Sequence, residues 1–116
     1  MPVPINAKKQ ILMKSGKLRR ALRAAGHHLS PVVQVGADGV SSSLKKQVLE
    51  QVNHHELIKV RVGSESPEDR HEVAERLGEN TGSQVAQVLG RTILLYKKNP
   101  KKARYEPNSK PRPLLR

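Results

Sequence analysis

Thirty residues in the middle of the chain, Pro31 to Val60, restrict the fold more than any other stretch. The valine-rich run Pro31-Val32-Val33-Gln34-Val35 reads as a short, largely buried strand, and it ends in Gly36-Ala37-Asp38-Gly39. A serine-started helix from Ser41 to Asn53 follows, with Leu44, Val48, Leu49 and Val52 inward and Lys46, Glu50 and Asn53 outward. Leu57 to Val62 then alternates, placing Ile58, Val60 and Val62 on one face of a strand and Lys59 and Arg61 on the other, basic and exposed one. One helix between two strands favours a right-handed crossover joining parallel neighbours.

The flanks supply the remaining elements. A first helix, capped by Ser15, runs to about Gly26; Leu18, Ala21, Leu22 and Ala25 share one arc, and Arg19, Arg20 and Arg23 lie opposite. Ser66-Pro67-Glu68-Asp69 predicts a third helix, with a serine cap, proline at its first position and acids in its positive first turn, running to about Asn80. Its inward side is Val73, Ala74 and Leu77; Glu72, Glu75 and Glu79 form an acidic face expected to point away from any nucleic acid. A hairpin, Gln84 to Leu89 and Thr92 to Tyr96, turns at Gly90-Arg91 with glycine where a type II′ turn requires it. The second crossover helix again favours parallel neighbours, and the hairpin adds one antiparallel strand. The expected fold class is α/β, more closely an α+β two-layer arrangement in the order α-β-α-β-α-β-β with a four-stranded mixed sheet. Its boundaries are a flexible tail at 1–14, a domain at 15–98 and a disordered, basic, proline-rich tail at 99–116.

Composition narrows the function. A chain of 116 residues holds one small domain that buries only about 60% of the surface of its unfolded chain, which leaves little room for a deep catalytic cavity. Cysteine is absent, so disulfides, thiolate nucleophiles and cysteine-ligated zinc are excluded, in keeping with a reducing, cytoplasmic setting. No apolar run approaches the roughly 20 residues of a membrane span, and the start has no secretory h-region. The net charge of +12 points to a polyanionic partner. It is unevenly spread: residues 1–30 hold seven Lys/Arg and no acid, and residues 91–116 hold nine against Glu106, while residues 65–79 hold six acids against Arg70 and Arg76.

The chemistry follows from these placements. Gly36-Ala37-Asp38-Gly39 feeds a helix N-terminus, where its N–H groups and those of Val40 to Ser43 could converge on a phosphate, with glycine allowing close approach. Asp38 is the discordant residue, since a carboxylate repels phosphate, and its alternative reading is a cap for the helix that follows. Arg19, Arg20 and Arg23 form the densest basic patch and have no acid four residues away to neutralise them. Lys45, Lys46, Lys59, Arg61, Arg91, Lys97 and Lys98, several of them near strand ends or on one sheet face, are further basic candidates. His27-His28 and His54-His55-Glu56 have ligand-type side chains, but adjacent residues diverge too far to chelate one ion; His28 and His55 read as packed or hydrogen-bonded near helix ends, and His27 as a further phosphate contact. No nucleophile, Walker loop or carboxylate pair stands out, so the expectation is a non-enzyme without metal or cofactor. With Tyr96 and Tyr105 as its only aromatics, the chain lacks a base-stacking platform, and a loop gripping the nucleic-acid backbone fits it better. Two rivals stay open: a sequence-neutral DNA-binding protein and a small metal-dependent hydrolase using the histidine pairs.

Four motifs in order, Gly26 to Gly36, the Gly36–Gly39 loop, His55-Glu56-Leu57-Ile58-Lys59-Val60 and Gln87 to Tyr96, resemble the CRM domain family (chloroplast RNA splicing and ribosome maturation), in particular its stand-alone bacterial YhbY-type members. The resemblance covers residues 15–98. It implies a fold like the C-terminal domain of translation initiation factor three, an RNA-backbone contact at Gly36, Ala37, Asp38 and Gly39, and association with ribosomal RNA of large-subunit precursors. The combined expectation is a monomeric RNA-binding assembly factor with no membrane or small-molecule partner. A ribosomal protein proper would suit the basic tail equally well.

Overall fold

The computed structural model describes residues 13, 14, 16–101 and 105. Its elements are α1 (Lys17–Gly26), β1 (Pro31–Val35), α2 (Ser42–His55), β2 (Leu57–Val62), α3 (Arg70–Thr81), β3 (Gln84–Leu89) and β4 (Thr92–Tyr96). They build one four-stranded mixed sheet in the order β1-β2-β4-β3. β1 runs parallel to β2, and β4 runs antiparallel to both β2 and β3. The expected parallel contact between β2 and β3 does not form, because β4 folds back from Gly90 into the space between them. Gly90 has φ 58 and Arg91 no positive φ, the signature of the type II′ turn.

Strand alternation sends side chains to two separate cores. Val33, Val35, Ile58, Val60, Val62, Val85, Ile93 and Leu95 meet α2 and α3 on one face. On the other, Leu57, Ala86, Leu94 and Tyr96 meet Leu22 of α1. Helices thus cover both faces, and α1 adds a third layer to the two expected. Fully burying the Leu22 side chain contributes about 2 kcal/mol, and Gly26 lets α1 close down, since a Cβ there would lie 2.5 Å from Leu94 Cδ1.

The helix ends differ from the sequence reading in three places. Ser15 lies outside the described residues; the N-cap position is Gly16, with no side-chain cap. α3 starts at Arg70 rather than near Pro67, because Asp69 and Glu72 form a reciprocal capping box, while the Ser66 hydroxyl donates to Glu68 O. α2 continues to His55 and stops at Glu56, which takes φ 71. That left-handed backbone is held by its surroundings: Glu56 O accepts from Lys97 N and its buried carboxylate accepts from Asn99 N at 3.1 Å. The described chain therefore continues past Lys98 through Lys101, and Tyr105 packs on the α1 side of the sheet. The rest of the basic C-terminal segment and residues 1–12 lie outside the described residues.

Candidate nucleic-acid interface

The glycine loop is tied down from within. Gly39 N donates to Gly36 O and Ser41 N to Gly39 O, both at 3.0 Å, and Val40 N donates to the Glu68 carboxylate at 3.2 Å. Three of the amides expected to meet a phosphate are thus engaged inside the protein. Those of Ala37 and Asp38 at the exposed tip, and of Ser42 and Ser43 in the first turn of α2, have no hydrogen-bond acceptor among the described residues. Ser41 accepts from Leu44 N and caps the helix.

The two glycines have different reasons to be glycine. Gly39 is buried with φ +64, and a Cβ there would run into the Glu68 carboxylate and come within 3.0 Å of Pro67 Cγ. Fold alone requires it. At Gly36 a Cβ would meet no heavy atom within 4 Å. The fold therefore puts no steric demand on Gly36, and this is the place where an outside backbone can come close.

Glu68 is the functional neighbour that sequence reasoning missed. Its Oε1 holds Val40 N and its Oε2 pairs with Arg76 Nη1 at 2.9 Å. Glu68, ahead of the acidic face of α3, therefore touches the loop across 28 residues of sequence that no local pattern bridges.

Electrostatics separate the starts of α2 and α3. α2 has no acid in its first turn, and Lys45 and Lys46 stand at its fourth and fifth positions, so cations lie near the positive end of the helix dipole. At α3, the Glu72 backbone N–H holds the Asp69 carboxyl below its ordinary 3.8, and that carboxylate balances the dipole.

The expected site residues divide into three groups. Gly36, Ala37, Asp38, Gly39, Lys45, Lys46, Arg61 and Arg91 gather at the loop end of the sheet, where Arg61 lies beside Gln34 and Arg91 O accepts from Val62 N. His27, Lys97 and Lys98 lie at the opposite end, beside the starts of β1 and β2. Arg19, Arg20, Arg23 and Lys59 occupy the α1 side. Arg20 and Arg23 are exposed, whereas Arg19 is half-buried and its Nε donates to Ala86 O at 2.9 Å. Arg19 is thus a staple between α1 and β3, and its place opposite the apolar arc is corrected; Ala21, assigned inward, is exposed. His28 and His55 are exposed rather than packed. Among the described residues no three His, Asp or Glu side chains gather where they could hold a metal ion.

Residues 15–97 match the family model described as CRS1 / YhbY (CRM) domain. The chain belongs to that family. Within it, the chain is 45% identical over 87 residues to YqeI of Bacillus subtilis, named a probable RNA-binding protein, across 75% of this chain and 91% of that one. A probable RNA-binding protein of Methanocaldococcus jannaschii is 41% identical over 85 residues, 72% of this chain and 63% of the relative. The solution structure of a Staphylococcus aureus protein matches with a TM-score of 0.65 at 35% identity, covering 81% of this chain and 100% of the other. The matched CRM region takes in the glycine loop, all three helices and the whole sheet. No described helix is long and apolar enough to cross a membrane.

Proposed function

We propose that this CRM protein is a non-enzymatic cytoplasmic factor that binds ribosomal RNA of large-subunit precursors as a monomer and assists ribosome assembly. The observation that carries the reading is the start of α2: a helix end with no acid in its own first turn and with Lys45 and Lys46 close behind it, reached through an open glycine at Gly36. Arg20, Arg23, Arg61 and Arg91 supply further phosphate contacts around it, and Asp38 at the tip weakens rather than forbids them. The RNA-binding names of the relatives support the polymer, and the family resemblance supports the ribosomal target. Neutralising about five phosphates gives a log–log salt slope near −3.5 for single-stranded RNA.

The direct test is Gly36→Asp, measured by RNA affinity and thermal melting together. The expected result is a loss of at least about tenfold in affinity at an unchanged melting temperature. Unchanged affinity would remove the loop from the interface, and preference for duplex DNA over RNA at matched salt would overturn the choice of polymer. Crosslinking in cells, read beside gradient fractions of precursor and mature subunits, tests the ribosomal target.

A further inference from the structure

Past α1, none of the described residues covers the end of the sheet's α1 face. The strand register lines up Gln34, Arg61, Thr92 and Leu89, one residue from each strand, in a single cross-strand row. Their side follows from their neighbours: Val33, Val35, Val60, Val62 and Ile93 point into the α2–α3 core, and Val88 packs against that core because the irregularity between Val85 and Gln87 resets the alternation of β3, so Gln34, Arg61, Thr92 and Leu89 share the α1 face. Gln34 and Arg61 are exposed, Thr92 is half-buried, and Leu89 is 56% exposed. The Thr92 hydroxyl donates to Leu89 O at 2.8 Å, which fixes the β3 end of the row.

A lone exposed leucine needs no explanation. This one lies in line with a guanidinium and an amide, on a face that is basic throughout: Lys59 is one rung back and Arg91 borders the turn, and no residue adjoining the row in sequence is acidic. Charge complementarity therefore points to RNA, and the apolar member selects its state. An A-form duplex shows a protein phosphates and 2′-hydroxyls and keeps its base faces inside, so it has nothing for Leu89 to cover. An unpaired base has an apolar face for a leucine, a ring for a guanidinium to stack on and an edge for an amide to bond.

Resting on the RNA-binding reading above, we propose that the Gln34–Arg61–Thr92–Leu89 row seats an unpaired nucleotide, with its base against Leu89 and Arg61 and its edge toward Gln34. The row gives a chain without phenylalanine or tryptophan a means of touching bases, and it places an unpaired segment beside the glycine loop.

The test compares a short oligouridylate with a blunt RNA duplex, binding each to the full chain and to Leu89→Ser, Gln34→Ala and Arg61→Lys. Leu89→Ser is expected to weaken oligouridylate binding roughly fivefold while leaving the duplex affinity and the salt slope unchanged. Arg61→Lys should keep the slope yet still weaken the unpaired ligand. Equal losses on both RNAs, or no loss with Leu89→Ser, would overturn the row. So would a shift in sedimentation with Leu89→Ser, which makes the leucine a contact between copies of the chain. If Gly36→Asp abolishes binding while Leu89→Ser changes nothing, the row falls and the RNA-binding reading stands; if the unmodified chain binds neither RNA, that reading falls as well.

Discussion

Helices α2 and α3 both open on an oxygen-bearing cap, Ser41 in one and Asp69 in the other, yet only α3 adds a first-turn acid, Glu72, to a charged cap. The start of α3 is electrically complete: Asp69 accepts from Glu72 N, Glu72 reaches back to Asp69 N, and a carboxylate lies at the dipole's positive end. The start of α2 has a neutral cap and two lysines, the Glu68 carboxylate at its entry is shared with Arg76, and the loop tip at Ala37 and Asp38 is exposed. One helix start serves the fold, and the other leaves charge for a partner to neutralise. The same division runs through the glycine loop, where a Cβ on Gly39 would meet Pro67 and Glu68 and a Cβ on Gly36 would meet none of the described residues.

The largest expected effect comes from making α2 resemble α3. Ser43→Glu with Lys46→Glu, both at exposed positions, should lower RNA affinity on the order of 100-fold at moderate salt. Folding stability should meanwhile rise by up to about 0.5 kcal/mol, since acids suit a helix start. A fall in both quantities would mean that the turn is structural. Next, urea denaturation should separate the glycines: Gly39→Ala costs about 1–2 kcal/mol for forcing a side chain into left-handed backbone, and Gly36→Ala costs well under that. Equal costs would erase the distinction.

A smaller effect concerns acid. The Asp69 pKa is depressed on folding, so its stabilisation is present above 3.8 and is lost as pH falls through the lower folded value. Asp69→Asn should flatten that part of the pH–stability curve without changing RNA affinity at neutral pH; an altered affinity would tie α3 to the interface. Smallest is Glu68→Gln, which keeps an acceptor for Val40 N but loses the ion pair to Arg76. Arg76 is 55% exposed in that pair, so the cost should be below about 1 kcal/mol and should vanish in high salt. A larger, salt-independent loss would show that Glu68 holds the loop by more than its charge.

Local patterns made much of the fold legible. The alternation of Leu57 to Val62, the Gly90 turn and the Ser41 cap each depend on neighbours a few residues away, and each stands in the structure. Two local signals compete at the start of α3: Ser66-Pro67 has the pattern of a helix start, but Asp69 and Glu72, three apart, satisfy each other and win. Arg19 was misjudged because Gly26 carries no hydrophobic weight on a helical wheel, although its bareness brings that flank of α1 onto Leu94. Strand order was legible only in part, since a crossover that steps over β4 has the same sequence as one that does not. The bond between Glu68 and the glycine loop could not be read at all, because it depends on how two distant turns meet. The basic residues were readable as a set; their division between two ends and one face was not.

The hold of Glu56 on Lys97 and Asn99 anchors the departing C-terminal chain where β2 begins, whereas the glycine loop lies where β1 ends. A six-residue β2 separates those ends by about 20 Å at the usual rise per residue. At physiological ionic strength the screening length is about 8 Å, so Lys97 and Lys98 scarcely feel Lys45 and Lys46. The two ends are independent electrostatic footholds, and charge changes made at both should combine additively in their effect on RNA affinity.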